Sequence, residues 1–203
     1  MIRADTLAGV QVLRVTLRVG IVVAVVLALI VVATSARSGL LWRLSTFTYQ
    51  ANVLAAGYYV WSLALPRADA RVGLRGAVVL YVLIAGVIWN LFLTERSMGY
   101  TPANLLLHVV VPVLALTDWL LVGRDRAKVR WWQPVAWLVY PAAYLALALL
   151  VLNHVGRRAP YYFLDPGSIG TASVVVNICV LACGALALGY TLLGINRAVA
   201  VVR

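Results

Sequence analysis

The chain has 203 residues, of which 64 % are apolar and 11 % charged, and its formal net charge is +11. A charged fraction so far below the roughly 25 % of soluble domains excludes an ordinary soluble globular protein. The basic residues stand in short clusters between apolar runs, as membrane-orientation signals do, which excludes a nucleic-acid-binding face.

The apolar runs recur along the whole chain at roughly the 20-residue length a bilayer requires. They predict an all-α fold: one transmembrane domain, 1–203, a bundle of six helices near 14–34, 44–65, 74–94, 102–122, 132–154 and 169–195. The first run follows Arg3, Arg14 and Arg18, and Thr34-Ser35-Ala36 offers small residues for signal cleavage. Its reach from Leu17 to Thr34 is enough to span, so it is read as a retained helix. The connections carry breakers: Ser38-Gly39, Pro66, Ser97-Met98-Gly99 ahead of Pro102, Gly123, and Pro160 through Gly170. Short links make neighbouring spans antiparallel, and Gly57, Gly76, Gly86 and Gly184 let helices approach closely. Cys179 and Cys183 lie four apart in the last run, where a disulfide within one helix is strained; they read as small packing residues.

Twelve basic residues fall on one side of this topology: Arg3, Arg14, Arg18, Arg67, Arg71, Arg75, Arg124, Arg126, Lys128, Arg130, Arg197 and Arg203. Five fall on the other: Arg37, Arg43, Arg96, Arg157 and Arg158. The excess faces the cytoplasm, which predicts a multi-pass cell-membrane protein with both termini inside. Trp42, Trp119, Trp131, Trp132, Tyr100, Tyr161 and Tyr162 stand near helix ends and read as interfacial anchors. Asp118 beside Trp119, and Glu95 beside Arg96, read as interfacial charges.

Polar groups inside a bundle need a partner or a function. Ser45, Thr48 and Asn52 share one helical face, and Thr46 and Gln50 another. Spacing alone fits helix glue, with Thr hydroxyls bonding back to carbonyls and Gln and Asn joining helices. His108 follows Asn104 by one turn and precedes Pro112 by four residues. Pro112 has no N–H, so the His108 carbonyl loses its helical partner and the helix bends. Neutral imidazole can take a proton near neutral pH. Asp118, ten residues on and thus ~15 Å away along a helix, is out of reach as its orienting partner. Thr48, Asn52, Asn90, Asn104, His108, His154, Ser173 and Asn177 all lie in the outer half of their spans, and the inner halves show few comparable groups. That segregation predicts a polar cavity opening outward.

The segments Phe47-Thr48-Tyr49-Gln50-Ala51-Asn52, Trp89-Asn90-Leu91, Asn104-Leu105-Leu106-Leu107-His108 with Pro112 and Asp118, and Tyr161-Tyr162-Phe163-Leu164-Asp165 carry a family resemblance. In this order, over nearly the whole chain, they resemble the bacterial branch of the androgen-induced-gene and androgen-dependent TFPI-regulating protein family. The resemblance implies a membrane threonine hydrolase that cleaves fatty acid esters of hydroxy fatty acids or similar lipid esters. It places the nucleophile at Thr48, with Thr46 as the alternative position, and the base at His108. A Thr hydroxyl is a weak nucleophile at neutral pH and needs such a base. Asn52, Asn90 and Asn104 are the candidate oxyanion donors. Asp165 is a candidate polar contact at the rim, where the link from Pro160 is either a lid over the opening or an aromatic anchor. No metal or other cofactor is implied, the partners are a lipid or fatty-acyl ester and the bilayer, and the oligomeric state is open. The rival expectation is a non-catalytic lipid-binding or regulatory membrane protein, which needs the cavity but no nucleophile–base contact.

Overall fold

A computed structural model describes residues 2–35, 40–95, 99–122, 129–155 and 161–201. Arg37, Arg96, Arg124, Arg126, Lys128, Arg157, Arg158, Arg203 and Pro160, with Ser38-Gly39, Ser97-Met98 and Gly123, lie outside the described residues. Every element among the described residues is helical. The long ones are α1 (Ile2–Ser35), α2 (Phe47–Ala64), α3 (Val72–Leu93), α4 (Pro102–Val122), α5 (Gln133–Leu152) and α6 (Thr171–Val201). Five of these, all but α2, are long and apolar enough to cross a membrane. α2 has 18 residues and is more polar, carrying Thr48, Gln50, Asn52, Tyr58, Tyr59 and Ser62. α1 begins at Ile2 rather than near 14, because the Ala, Leu, Gln and Arg residues ahead of the apolar run are good helix formers.

Local chemistry sets the helix ends. Pro102 opens α4 behind an extended Thr101, whose hydroxyl accepts the Asn104 N–H at 3.3 Å. Gly99 (φ +63°) and Gly170 (φ +82°) turn the chain just ahead of α4 and α6 in a conformation that strains L side chains. Pro66 starts the single turn Pro66–Asp69, which presents Asp69 to the end of the bundle. π-helical turns interrupt α3 at Trp89–Leu93 and α4 at Leu106–Val110 and Asp118–Val122. The second of these sits where Pro112 removes a donor from the ladder.

α1, α2, α3 and α4 pack in a closed ring, each against the next and α4 back against α1, while α5 and α6 lean on α3. α3 is the most buried helix, with Val79, Leu80 and Val82 fully covered. At Gly86 a Cβ would lie 2.9 Å from the His108 carbonyl oxygen and 3.1 Å from the Pro112 ring, so glycine sets how closely α3 and α4 approach. The outward faces of α1, α5 and α6 expose Val, Leu and Ile side chains, as lipid contact requires. Cys179 and Cys183 are free and exposed on α6, on the outside of the bundle instead of in its packing.

Candidate functional site

Thr48 is the second residue of α2 and is buried. Thr46, at the N-cap position, makes no capping bond; its hydroxyl donates to the Arg43 carbonyl at 2.8 Å. The first N–H groups of α2 meet Tyr161 instead, a buried residue of the link before α6 whose hydroxyl lies beside the Phe47 and Thr48 N–H groups and the Thr48 side chain. Burial pushes the Tyr161 phenol above its ordinary value, and these polar neighbours offset part of the rise.

One turn on, Asn52 is fully buried, and its amide nitrogen donates to the Thr48 carbonyl at 2.8 Å and to the Leu107 carbonyl of α4 at 3.4 Å. Its Oδ1 is buried without a partner. This side chain joins the Thr48 turn to the residue preceding His108. His108 itself is buried in the π-turn Leu106–Val110 and stacks on Trp89, with ring centroids 4.2 Å apart and planes 13° from parallel. Its Nδ1 lies 3.1 Å from the Ala85 carbonyl oxygen. A carbonyl only accepts, so the neutral ring carries its proton on Nδ1 and its lone pair on Nε2. The His108 carbonyl, released by Pro112, accepts from the Asn90 amide at 3.3 Å, and the same nitrogen donates to Gly86 at 2.7 Å. Tyr100 donates to Asn90 Oδ1.

Thr48, Asn52, Asn90 and His108 therefore gather where α2, α3 and α4 meet. No hydrogen bond joins Thr48 to His108 among the described residues. Asn104 turns away, its amide donating to the Gly99 carbonyl at 2.8 Å. Asp165 caps its own turn, accepting from Gly167 N–H at 2.9 Å and the Ser168 hydroxyl at 2.6 Å. Those bonds hold its carboxyl below the ordinary range. Gln50 accepts from the Tyr140 hydroxyl at 3.0 Å. Of the remaining outer-half residues, His154 and Ser173 are exposed. Asn153 and Asn177 donate to the Leu164 and Phe163 carbonyls, both at 2.9 Å, and so pin the link onto the bundle. Tyr161, Phe163 and Leu164 are buried there.

The opposite end of the ring corrects the expectation that it is poor in polar groups. Asp118 is not an interfacial charge: it is fully buried, as is Arg18, and Arg75 is only 3 % exposed. Arg18 Nε donates to Asp118 Oδ1 at 3.1 Å, and Arg18 Nη1 reaches Asp69 at 2.6 Å and Ser62 at 3.1 Å. Arg75 pairs with Asp118 Oδ2 at 3.0 Å and donates to its backbone carbonyl at 2.6 Å. Tyr59 donates to Asp118 at 3.4 Å, and Arg14 completes the chain on Asp69. Trp119 is buried too, with its Nε1–H on the Leu192 carbonyl at 3.2 Å and its ring under Arg75, so it is a packing residue rather than an anchor. The sequence signal lies in the expected spans: Arg18, Arg75 and Asp118 fall near the same end of 14–34, 74–94 and 102–122, Asp69 falls in the link at that end, and charges at one depth can meet.

A scan against protein-family models, a search of curated proteins and a search of solved structures each return no match.

Proposed function

We propose that the chain is a six-span protein of the cell membrane with both termini cytoplasmic, and that it hydrolyses lipid esters through Thr48 and His108. The six-span reading rests on α2, which has Thr48 among the Asn90–His108 group at one end and Ser62 in the Arg18–Asp118 network at the other. Its 18 residues, or about 27 Å at 1.5 Å each, run the length of the ring between them. The orientation rests on basic residues: with Arg18 and Arg75 set aside as interior groups, ten still stand against five.

The observation that carries the hydrolase reading is the Asn52 bridge, which sets the Thr48 turn against the His108 turn, beside a histidine whose Nε2 holds the lone pair. In the reaction His108 Nε2 takes the Thr48 proton as Oγ1 bonds to the ester carbon. The tetrahedral intermediate collapses with loss of the alcohol, which takes the proton from His108. Water then cleaves the threonyl ester by the same route and frees the fatty acid. Such nucleophile–base pairs are often long without substrate and tighten around it. Asn52 is the best-placed oxyanion donor, because one of its amide hydrogens sits on a 3.4 Å bond that is weak enough to exchange. The substrate class, a fatty acid ester of a hydroxy fatty acid or a similar lipid, follows the family resemblance of the sequence motifs.

The second reading, a lipid-binding or regulatory protein without chemistry, is favoured by the commitment of Asn52, Asn90 and Asn104 to backbone carbonyls. A fluorophosphonate probe on the purified protein separates the two. Covalent labelling that vanishes in Thr48→Ala supports hydrolysis; an unlabelled wild type that also fails to cleave lipid esters leaves the second reading.

A further inference from the structure

The end of the bundle that carries the ion-pair network has a feature that ester hydrolysis does not use. A recess of about 500 Å³ opens between the start of α3 and the turn that leads into α5, lined by Arg71, Gly73, Leu74, Arg130 and Gln133 among others. This volume is in the range of small-ligand sites. Its polar side-chain groups that remain free are all donors. Arg71 and Arg130 are exposed, and neither pairs with a carboxylate among the described residues. The Gln133 Oε1 is taken by the Arg130 N–H at 2.8 Å, which leaves the amide N–H₂ group unclaimed. That group lies so near the start of α3 that a Cβ on Gly73 would overlap it. The acid nearest Arg71 in sequence, Asp69, is held by Arg14 and Arg18. The first N–H groups of α3 face the same end without a side-chain cap. Exposed Trp131 and Trp132 stand between Arg130 and Gln133 in the chain, and Arg71 lies 5.4 Å from the centre of the Trp61 ring; tryptophans beside basic residues are the pattern of headgroup depth.

We propose that this recess binds a phosphate group, supplied by an anionic phospholipid of the adjoining leaflet. Two guanidiniums and an amide supply only donors, so the ligand must accept several hydrogen bonds and carry negative charge. The inference goes beyond the hydrolase reading and does not depend on it.

The test uses the purified full-length protein in phosphatidylcholine vesicles, with brominated phosphatidylglycerol or brominated phosphatidylcholine as quencher of tryptophan fluorescence. Wild type should prefer the anionic lipid by about fivefold or more. Arg71→Ala with Arg130→Ala should bring the ratio close to one. Arg67→Ala with Arg197→Ala, which removes the same charge from other exposed positions, should leave it unchanged. If the alanine pair does not reconstitute, Arg71→Gln with Arg130→Gln takes its place with the same expectation. Inorganic phosphate added at millimolar concentration separates the sources: no displacement of the lipid confines the site to headgroups, and displacement dependent on Arg71 and Arg130 extends it to soluble phosphate. A wild type with no anionic preference and no phosphate response overturns the proposal, as does equal loss in the two double variants. No arm reads turnover, so a failed hydrolase assignment and a failed recess assignment are told apart.

Discussion

Arg18 and Asp118 are a hundred positions apart in the chain and meet at 3.1 Å, each wholly covered by the ring of helices. Asp118 also serves Arg75, so one carboxylate faces two buried guanidiniums, of which Arg18 alone has a second partner in Asp69. Removing it leaves Arg75 without a counter-charge and Arg18 with Asp69 alone, in a low-dielectric interior where breaking such pairs costs about 3–5 kcal/mol. Asp118→Asn should therefore destabilise the protein more than Arg75→Met, which leaves the Arg18–Asp118 pair intact. Thermal unfolding in a mild detergent gives the ranking, and an Asp118→Asn protein as stable as wild type contradicts the assigned role.

The approach of α3 to α4 at Gly86 supports the other end. Gly86→Ala places a methyl group against the His108 carbonyl, which as backbone cannot swing aside. The helices must part, at about 1–3 kcal/mol for overpacking, and the Asn90 bond to His108 lengthens with them. Gly57→Ala, which has no neighbour to meet, is the control and should be neutral or slightly stabilising. Equal melting temperatures for the two variants would count against the close contact.

If Thr48 and His108 act as a unit, their losses do not add. Either Thr48→Ala or His108→Ala should remove most ester hydrolysis, and the double variant should be little worse. Thr48→Ser keeps the hydroxyl and should retain part of the rate, while Thr46→Ala should retain nearly all of it. Full turnover by a folded Thr48→Ala protein moves the nucleophile elsewhere, with Thr46 the next to test.

The link before α6 is held by Asn153 and Asn177 and by the Asp165 turn. Asn153→Ala with Asn177→Ala should speed amide hydrogen exchange at Phe163 and Leu164 while leaving the centre of α3 protected. The Asp165 part depends on pH. Its carboxyl lies below the ordinary 3.8, lowered first by the Ser168 hydroxyl and then by the Gly167 N–H. A lowered folded-state value means that its contribution is complete above the unfolded value and disappears as the pH falls through the folded one. Protection of the Gly167 amide should hold through neutral pH, decline only below about pH 3.8, and lose that dependence in Asp165→Asn.

Topology is testable with the two native cysteines removed. Single cysteines near 38 and 160 should react from outside intact cells, and those near 70 and 127 only after permeabilisation. The reverse pattern would invert the inside and the outside assigned to the bundle.

The helical class and the runs that form α1 and α3 to α6 follow from hydropathy, since each run is long and apolar enough to cross a membrane. The gathering of Thr48, Asn52, Asn90 and His108 was visible as a common depth, and the carbonyl freed by Pro112 was visible from proline chemistry. The donor that fills it was not, because Asn90 reaches it only through the close approach at Gly86. The burial of Arg18 and Asp118 does not follow from sequence, because an ionised group near the end of an apolar span is ordinarily wet; covering it takes neighbours from other helices, which spacing along one helix does not reveal. Asn104 and Asp165 look like site residues by type, yet each closes a local turn, a use that short polar side chains find within a few residues.

The network also has a consequence for how the protein is made. Arg18 emerges from the ribosome before its partners, with Asp69 following by 51 residues and Asp118 by 100. At roughly 5–20 residues per second, about 5–20 s pass before the last counter-charge exists. Until Asp69 follows, α1 holds a guanidinium that the hydrocarbon core will not accept alone, so it must wait near the headgroups or beside the insertion machinery. Arrival of α4 supplies the second charge, Asp118, and with it the last side of the ring around Arg18.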